Sequence, residues 1–182
     1  MSDYGGSTTP TAERDYWQTP IEIFNALDAE FGFYLDAAAS QSNALCGHYL
    51  TELDNALNCE WVSYGPVWVN PPYSDITPWV RKADEQCRRQ GQPVVMLVPA
   101  DISTGWFSLA MESVDEVRLI TGGRINFKPA TPRPKGKRES NPKPSLFLIW
   151  RPYIRPRGQI TNVSRDELIR IGQEYIEDVE AA

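Results

Sequence analysis

The stretch Val67-Trp68-Val69-Asn70-Pro71-Pro72-Tyr73-Ser74 decides how the rest of this chain can be arranged. Its first three residues are apolar and predict a buried strand, which must end at Pro71 because a strand interior cannot spare a backbone N–H. Each proline also holds the residue before it in an extended conformation. The stretch therefore predicts a rigid loop at the end of a buried strand, carrying an amide side chain, two proline carbonyls and an aromatic ring.

Such a loop can bind a flat group that carries an amine. The amide oxygen of Asn70 and the carbonyl of Pro71 can each accept a hydrogen bond from an NH2 group. Tyr73 can stack on a ring. The alternative interpretation is a strand followed by a proline-rich turn without a ligand, so the surrounding sequence has to decide.

Four segments together resemble the phage-type DNA N6-adenine methyltransferase family, whose members use S-adenosylmethionine to methylate the exocyclic amine of adenine. They are residues 15–20 (DYWQTP), 35–40 (LDAAAS), 70–73 (NPPY) and 123–127 (GRINF). The resemblance extends from about residue 15 to residue 152. It implies that the catalytic residues are Asn70, Pro71, Pro72 and Tyr73.

Length and composition indicate one ordinary globular domain. The chain has 182 residues, of which 41% are hydrophobic and 23% charged. Neither a membrane span nor a secretory signal is evident, so we expect no membrane partner and a location in the cytoplasm of the bacterial host cell. Three cysteines without a C-x-x-C spacing and one histidine give no reason to expect a metal. We expect a disordered lead over residues 1–14, a methyltransferase domain over 15–160 and a C-terminal helix over 161–182.

The N-terminal motif precedes a predicted helix of about three turns. Thr19 is predicted as its N-cap and Pro20 as its first residue, with Glu22 closing a capping box. The resemblance implies that Trp17, Thr19 and Pro20 line the methionine end of the cofactor. The alternative is that the residues before the helix only fix the direction in which the chain enters it.

Further cofactor contacts are implied at the ends of two predicted strands. Residues 33–36 predict a short buried strand that ends at Asp36, and the small residues Ala37 and Ala38 follow where methyltransferases normally carry glycines. Residues 48–54 predict a second strand with acids near its end. An acid there could hold ribose hydroxyls, and both Glu52 and Asp54 are candidates. Asp54 and Asn55 are also placed to contact the adenine of the cofactor.

The order of strands and helices predicts an α/β fold. Strands and helices alternate up to residue 111, which is typical of a mainly parallel sheet covered on both faces. Only 33 residues separate Asp36 from Asn70, too few for the full set of strands and helices, so a helix is predicted to have shrunk to a loop. Residues 117–120 and 145–150 predict a C-terminal antiparallel pair. We therefore expect a reduced Rossmann-like methyltransferase fold.

Positive charge is concentrated in the last third of the chain. Residues 118–157 hold eleven of the eighteen Lys and Arg residues and one acid, a net +10, which leaves −16 for the rest of a chain whose total is −6. Within it, residues 128–145 contain five prolines and six basic residues; we call this segment the basic arm. Such asymmetry is expected of a protein that meets phosphate with one face. The predicted contacts to double-stranded DNA are Arg124, Lys128, Arg133, Lys135, Lys137, Arg138 and Lys143. The alternative is a solvated connector without a partner.

The sequence thus predicts a site-specific DNA adenine-N6 methyltransferase with S-adenosylmethionine as cofactor and no metal, and it indicates no oligomeric state. The resemblance implies a role in protecting phage DNA from restriction. Enzymes that methylate a glutamine amide or the N2 amine of guanine in RNA share the catalytic loop and are the alternative. A further alternative is that the protein is not an enzyme but a nucleic-acid-binding protein that has lost the glycines of the fold.

Overall fold

The computed structural model describes residues 17–129, 143–153 and 158–181. Within these ranges the chain forms nine strands and four helices. The strands are β1 (Trp17–Gln18), β2 (Leu35–Asp36), β3 (His48–Tyr49), β4 (Val67–Val69), β5 (Val94–Pro99), β6 (Glu116–Thr121), β7 (Lys128–Pro129), β8 (Ser145–Trp150) and β9 (Gln159–Ser164). The helices are α1 (Ile21–Phe31), α2 (Thr77–Gln90), α3 (Gly105–Met111) and α4 (Arg165–Ala181). None of the described helices is long and apolar enough to span a membrane.

Seven strands form one sheet in the order β3-β2-β4-β5-β8-β6-β9. All neighbours are parallel except β8, which lies antiparallel to both β5 and β6. The predicted α/β class, with a mainly parallel sheet and an antiparallel C-terminal pair, is confirmed. The chain leaves β2 toward β3 on one side and then returns to β4 on the other. This reversal is the topological switch point at which open α/β sheets form their ligand crevice.

The sheet is buried on both faces because its central strands alternate toward two separate cores. Val67 and Val69 face the side covered by α2 and α3, whereas Trp68 between them faces the side covered by α1 and α4. Every residue of β4, β5 and β8 is buried. Continuous apolar runs are what strands covered on both faces require, and these runs made the central strands predictable.

Helix α1 has the predicted length, but its predicted cap is wrong. The N-cap is Pro20 rather than Thr19, and no side chain caps the helix. The carbonyl of Pro20 accepts hydrogen bonds from the N–H groups of Ile23 and Phe24, at 3.1 and 3.3 Å. Pro20 itself adopts an extended conformation, with φ −58° and ψ 139°. The helix therefore begins one residue later than predicted, which frees the side chain of Thr19 for another role.

The region between β2 and β4 is reduced, as predicted, but its strand is shorter. No α-helix occurs between residues 37 and 66, all of which are described. The predicted strand over residues 48–54 ends at Tyr49, and Glu52–Asp54 forms a 3-10 turn instead. The cause is a local capping box, in which the N–H and hydroxyl of Thr51 both donate to an oxygen of Asp54 at 2.7 Å.

Two further features were not predicted. β9 pairs in parallel with β6 along its six residues and ends the sheet. β1 and β7 form a separate two-stranded antiparallel ladder, with Trp17 opposite Pro129 and Gln18 opposite Lys128. This ladder joins the N-terminal motif to the first residues of the basic arm.

Candidate active site

The candidate site lies along the edge of the sheet at which β2, β3, β4 and β5 end. These four strands are mutually parallel, so their carboxyl ends meet at one edge. β8 runs the opposite way, and its first residue, Ser145, lies opposite Pro99 at the end of β5. The sheet therefore brings together the loops that follow Asp36, Tyr49 and Val69 and the end of the basic arm.

Asn70 carries the most informative contact of the site. Its amide nitrogen Nδ2 donates a hydrogen bond to the backbone carbonyl of Trp17 at 3.2 Å. That contact determines which way the amide points, because only its nitrogen can donate to a carbonyl. The oxygen Oδ1 is buried and accepts no hydrogen bond from any described residue. A buried acceptor without a donor costs about 1–3 kcal/mol, so Asn70 Oδ1 is suited to accept from an amine or another donor that no described residue supplies.

Three parts of the chain meet at this amide. Trp17, which orients Asn70, belongs to β1, and β1 pairs with β7 at the start of the basic arm. Ile125 and Phe127, which lead into β7, are almost completely buried in the core beside α1. The loop of residues 70–73, the N-terminal motif and the base of the arm are therefore connected through one small ladder.

Tyr73 is half-buried and packs inward. Its ring meets that of Phe127 edge to face, with 6.4 Å between centroids, and its hydroxyl donates to the carbonyl of Leu97 at 3.4 Å. Burial raises the pKa of the Tyr73 hydroxyl well above its usual value, so the side chain stays neutral. Pro71 is buried and Pro72 half-buried beside it. The loop of residues 70–73 is thus braced against strand β5 and residue 127.

Asp36 is buried, with 3% of its surface exposed, and its carboxylate turns toward its own loop. One oxygen accepts the N–H of Ala38 and the other the N–H of Leu45, both at 3.2 Å. Burial raises the pKa of Asp36 from 3.8 to about 6, against these two N–H donors, which lower it. The geometry indicates that Asp36 shapes the loop after β2.

The alanines after Asp36 occupy a backbone that does not need glycine. Ala37 is fully buried and its N–H donates to the carbonyl of Trp68 at 2.9 Å, while the N–H of Ala39 donates to the carbonyl of Leu50 at 2.9 Å. Among the described residues, Asn55 is the only non-glycine with a positive φ. The alanines therefore adopt ordinary backbone conformations, and their small side chains suffice.

The 3-10 turn after β3 separates the roles of its two acids. The carboxylate of Asp54 is bound by the N–H and hydroxyl of Thr51, and these hydrogen bonds lower its pKa. Glu52 is exposed, and its carboxylate makes no hydrogen bond or ion pair within the described part of the chain. Leu53, which lies between them, is 96% exposed. Of the two candidates, Glu52 is the acid that is available to a ligand.

Not every cation of the basic segment can face DNA. Arg118 and Arg151 are bound to acids at the junction of β6, β8 and α1, with ion pairs of 2.6–2.9 Å to Glu30, Glu116 and Asp115. Burial raises the pKa of Glu116, but hydrogen bonds from Arg118, Thr161 and Arg151 outweigh it and lower that pKa to about 2. These two arginines are structural.

The predicted DNA contacts divide into described and undescribed residues. Arg124, which precedes the arm, and Lys128 and Lys143, which lie near its two ends, are exposed. Four other predicted contacts lie outside the described residues: Arg133, Lys135, Lys137 and Arg138. Within the described ranges, no group of three or more His, Cys, Asp and Glu side chains could hold a metal ion.

Two hydroxyls at this edge are buried; Thr19 was predicted as a helix N-cap and a cofactor contact, whereas Ser145 was not singled out by sequence. Thr19 Oγ1 and Ser145 Oγ are buried and have no hydrogen-bond partner among the described residues. Thr19 follows β1 by one residue, and Ser145 is the first residue of β8. Nothing in the sequence distinguishes these hydroxyls from exposed ones, because their burial depends on strands that pair across the whole chain.

Comparison with known proteins identifies similar sequences over most of the chain. The model of the DNA N-6-adenine-methyltransferase (Dam) family matches residues 6–175. A DNA N-6-adenine-methyltransferase of Haemophilus phage HP1 is 31% identical over 156 residues, which cover 85% of this chain and 88% of that protein. One of Escherichia phage T1 is 43% identical over 118 residues, covering 64% of this chain and 49% of that protein. The chain thus spans about half the length of the T1 protein. The putative methyltransferase YfdM of Escherichia coli K12 is 39% identical over 71 residues, 36% of this chain and 74% of that protein.

Proposed function

Because this chain belongs to the DNA N-6-adenine-methyltransferase family, we propose that it transfers a methyl group from S-adenosylmethionine to the N6 amine of an adenine in a specific DNA sequence. The observation that carries this proposal is the buried Asn70 Oδ1, which has no donor among the described residues and whose direction is set by the carbonyl of Trp17. The amine of adenine is a donor of the required kind. Since that amine is engaged in base pairing within a duplex, the adenine must leave the stack first.

The residues around the switch point suit S-adenosylmethionine. The free carboxylate of Glu52 can accept hydrogen bonds from ribose hydroxyls, and the exposed Leu53 beside it offers an apolar surface to a ring. Asp54 and Asn55 complete the turn that presents them. When bound, the cofactor supplies a methyl group on a positively charged sulfonium.

The N-terminal motif suits the methionine end of the same molecule. The hydroxyl of Thr19 is buried and has no partner among the described residues, and it can donate to a carboxylate or accept from an ammonium group. Trp17 and Pro20 lie on either side of it along the chain. Asp36 accepts the N–H groups of Ala38 and Leu45, and Ala37 is held by the carbonyl of Trp68, so that the loop after β2 keeps its shape around a ligand.

The catalytic loop acts mainly by positioning. Asn70 Oδ1 and the Pro71 carbonyl accept the two amine protons, which draws the nitrogen toward tetrahedral geometry and directs its lone pair. Tyr73 stacks on the extruded base, and Pro72 keeps the loop rigid. Alignment of the reacting groups is a large contribution to rate, and hydrogen bonds that strengthen in the transition state add to it. The bond between nitrogen and methyl forms as the bond between methyl and sulfur breaks, and the sulfonium would leave as a neutral thioether. A strong base is not required, because the nitrogen becomes acidic enough on gaining the methyl group to release one proton to water.

The basic arm supplies affinity for the duplex. Arg124, Lys128 and Lys143 frame it at the edge that carries Asn70, and Arg133, Lys135, Lys137 and Arg138 extend it. Contacts of Lys and Arg with phosphate position a protein on DNA without specifying sequence. The arm would therefore hold the duplex while the target base is sought.

The reaction is tested by incubating the protein with labelled S-adenosylmethionine and unmethylated double-stranded DNA, followed by mass spectrometry of the nucleosides. The expected product is N6-methyladenine. Asn70→Ala should lower the rate at least a hundredfold, by the scale of losing one preorganised hydrogen bond at a reacting group, while DNA binding stays nearly intact. Asn162→Ala, which removes an exposed amide on β9, is the matched control and should leave both unchanged.

Other outcomes point to the other readings. A normal rate with Asn70→Ala would contradict the role of the amide, and joint loss of rate and DNA binding would indicate a folding defect. Transfer to protein or RNA instead of DNA would favour a glutamine-amide or guanine-N2 acceptor. Cofactor binding without transfer to any acceptor would favour a non-catalytic relative.

A further inference from the structure

Two large aliphatic side chains are strongly exposed at the edge of the sheet that carries the candidate site. Leu53 follows β3 and is 96% exposed, and Ile102 follows β5 and is 68% exposed. The other described apolar side chains with more than half of their surface exposed lie elsewhere: Val62, Tyr64, Tyr153, Ile160 and Val179. In the sheet order β3-β2-β4-β5, these two residues flank Asn70 from opposite sides. Leu53 lies beside Glu52, the proposed ribose-binding acid. Ile102 therefore lies on the other side of Asn70, which is the side nearer the basic arm.

The loop that carries Ile102 is braced by hydrogen bonds. The hydroxyl of Ser103 donates to Asp101 Oδ1 at 2.7 Å, and the hydroxyl of Thr104 donates to the Asp101 carbonyl at 2.9 Å. Thr104 also caps α3. The polar side chains of the turn thus bond within it, while the apolar one projects outward. The internal bonds hold the turn in one conformation, and they keep Ile102 in its exposed position.

The same loop is attached to the catalytic loop and to the basic arm. β4 and β5 are parallel neighbours with Val69 opposite Met96, and Tyr73 donates to the Leu97 carbonyl, so both loops leave adjacent strands together. The N–H of Ala100 donates to the carbonyl of Pro144 at 2.8 Å, one residue after the exposed Lys143. A duplex held by the arm with its adenine at Asn70 would therefore lie against Ile102.

We propose that Ile102 inserts into the DNA duplex at the position vacated by the target adenine. This proposal rests on the proposed function. An extruded base leaves a gap whose neighbours have lost their stacking partner, and apolar side chains such as Ile, Leu, Met and Phe fill steps of this kind. The carboxylate of Asp101 accepts from its own Ser103 and is thereby turned toward the loop. Ile102 thus stabilises the open duplex, while Asn70 holds the extruded base.

The test compares two duplexes that carry the recognition sequence, mapped beforehand by sequencing DNA methylated by the unmodified protein. In one duplex the target adenine faces thymine, and in the other it faces an abasic site, where extrusion breaks no base pair and costs less. Ile102→Ala should lower kcat/KM about tenfold on the paired duplex and at most twofold on the abasic one. Ile102→Leu should stay close to the unmodified protein on both.

Ile160→Ala is the matched control, because it makes the same change at a side chain of similar exposure, 63%, on the distant strand β9. It should leave both rates unchanged. An unaltered rate of Ile102→Ala on the paired duplex would overturn the proposal, as would an equal loss on both duplexes. Failure of the unmodified protein to methylate any DNA would instead refute the proposed function, so the two failures are distinguishable.

Discussion

At the scale of single residues, Asp36 makes stability depend on pH. A pKa of about 6 in the folded protein, against an ordinary 3.8, means that the native state binds the proton more tightly than the unfolded chain. The free energy of unfolding therefore falls as pH rises from about 4 to about 6 and is level above that. Asp36→Asn removes this dependence, although it places an amide where a carboxylate accepted two N–H groups.

We expect Asp36→Asn to lower the free energy of unfolding at pH 4.5 and to lower it less at pH 7.5. The difference in free energy of unfolding between the variant and the unmodified protein should shrink by about 2 kcal/mol between the two pH values. Urea unfolding of both proteins at the two pH values measures it. Asp75→Asn, which removes an exposed carboxyl, is the control. An Asp36→Asn difference that is the same at both pH values would contradict the raised pKa.

The same scale shows which site residues a sequence can reveal. The position of Asn70 could be predicted from its neighbours, because an apolar run followed by two prolines determines both the strand end and the loop. The carbonyl of Trp17 that orients Asn70 comes from 53 residues earlier in the chain. A backbone group has no sequence signal, so this contact becomes visible only when β1 and the loop are placed together. The sequence likewise left two candidates for the ribose-binding acid, Glu52 and Asp54. The bonds between Asp54 and Thr51 leave Glu52 as the candidate that is available to a ligand.

At the scale of elements, the docking of α4 on α1 depends on a single glycine. A Cβ atom at Gly172 would lie closer to the backbone carbonyl of Glu22 than any real Cβ contact allows. Backbone atoms cannot swing aside as a flexible side chain can, so the two helices would have to separate. Overpacking of this kind typically costs 1–3 kcal/mol. Gly172 therefore sets how closely the C-terminal helix covers the core that Leu168 enters.

We expect Gly172→Ala to lower the free energy of unfolding by about 2 kcal/mol, measured by urea denaturation. Gly105→Ala is the matched control, since it places the same methyl group on a helical glycine with nothing within 4 Å. That change should be neutral or slightly stabilising, because alanine favours a helix. Equal stability of the two variants would show that α4 can shift without cost.

Elements with a strong apolar pattern could be predicted, and those without one could not. β8 is apolar from Leu146 to Trp150 and was predicted with the bounds that it has, and β5 is apolar throughout. β9 reads Gln-Ile-Thr-Asn-Val-Ser; as an exposed edge strand it needs no apolar run. β1 and β7 have two residues each, too few for any periodicity. These short strands form because Ile125 and Phe127 anchor the chain beside them in the core.

At the scale of the whole molecule, charge is separated between the basic arm and the remaining acidic surface. A total of −6 would oppose binding to DNA if it were evenly spread. Two of the eleven cations in residues 118–157, Arg118 and Arg151, are bound to internal acids. We therefore expect the attraction for phosphate to come from the remaining cations of this segment, and at physiological salt it should act only over one Debye length, roughly 8 Å.

We expect the double variant Lys135→Ala/Lys137→Ala to weaken DNA binding and to reduce its dependence on salt. Each lost phosphate contact lowers the slope of log K against log salt by about 0.9, so two lost contacts lower it by up to about 1.8. Fluorescence anisotropy of a labelled duplex over a range of salt concentrations measures both. The effect should be the same for all DNA sequences, because phosphate contacts carry no sequence information.

The control must change the net charge equally without touching the arm. Arg88→Ala/Arg89→Ala does so in the last turn of α2, which lies at the opposite edge of the sheet because α2 starts from the loop after β4. These arginines are exposed and pair with Asp84 and Glu60, so their loss costs little stability. If both double variants lowered the slope equally, overall charge would govern binding. A lower slope for the arm variant alone would assign the phosphate contacts to the arm, and an unchanged slope would remove it from the DNA interface.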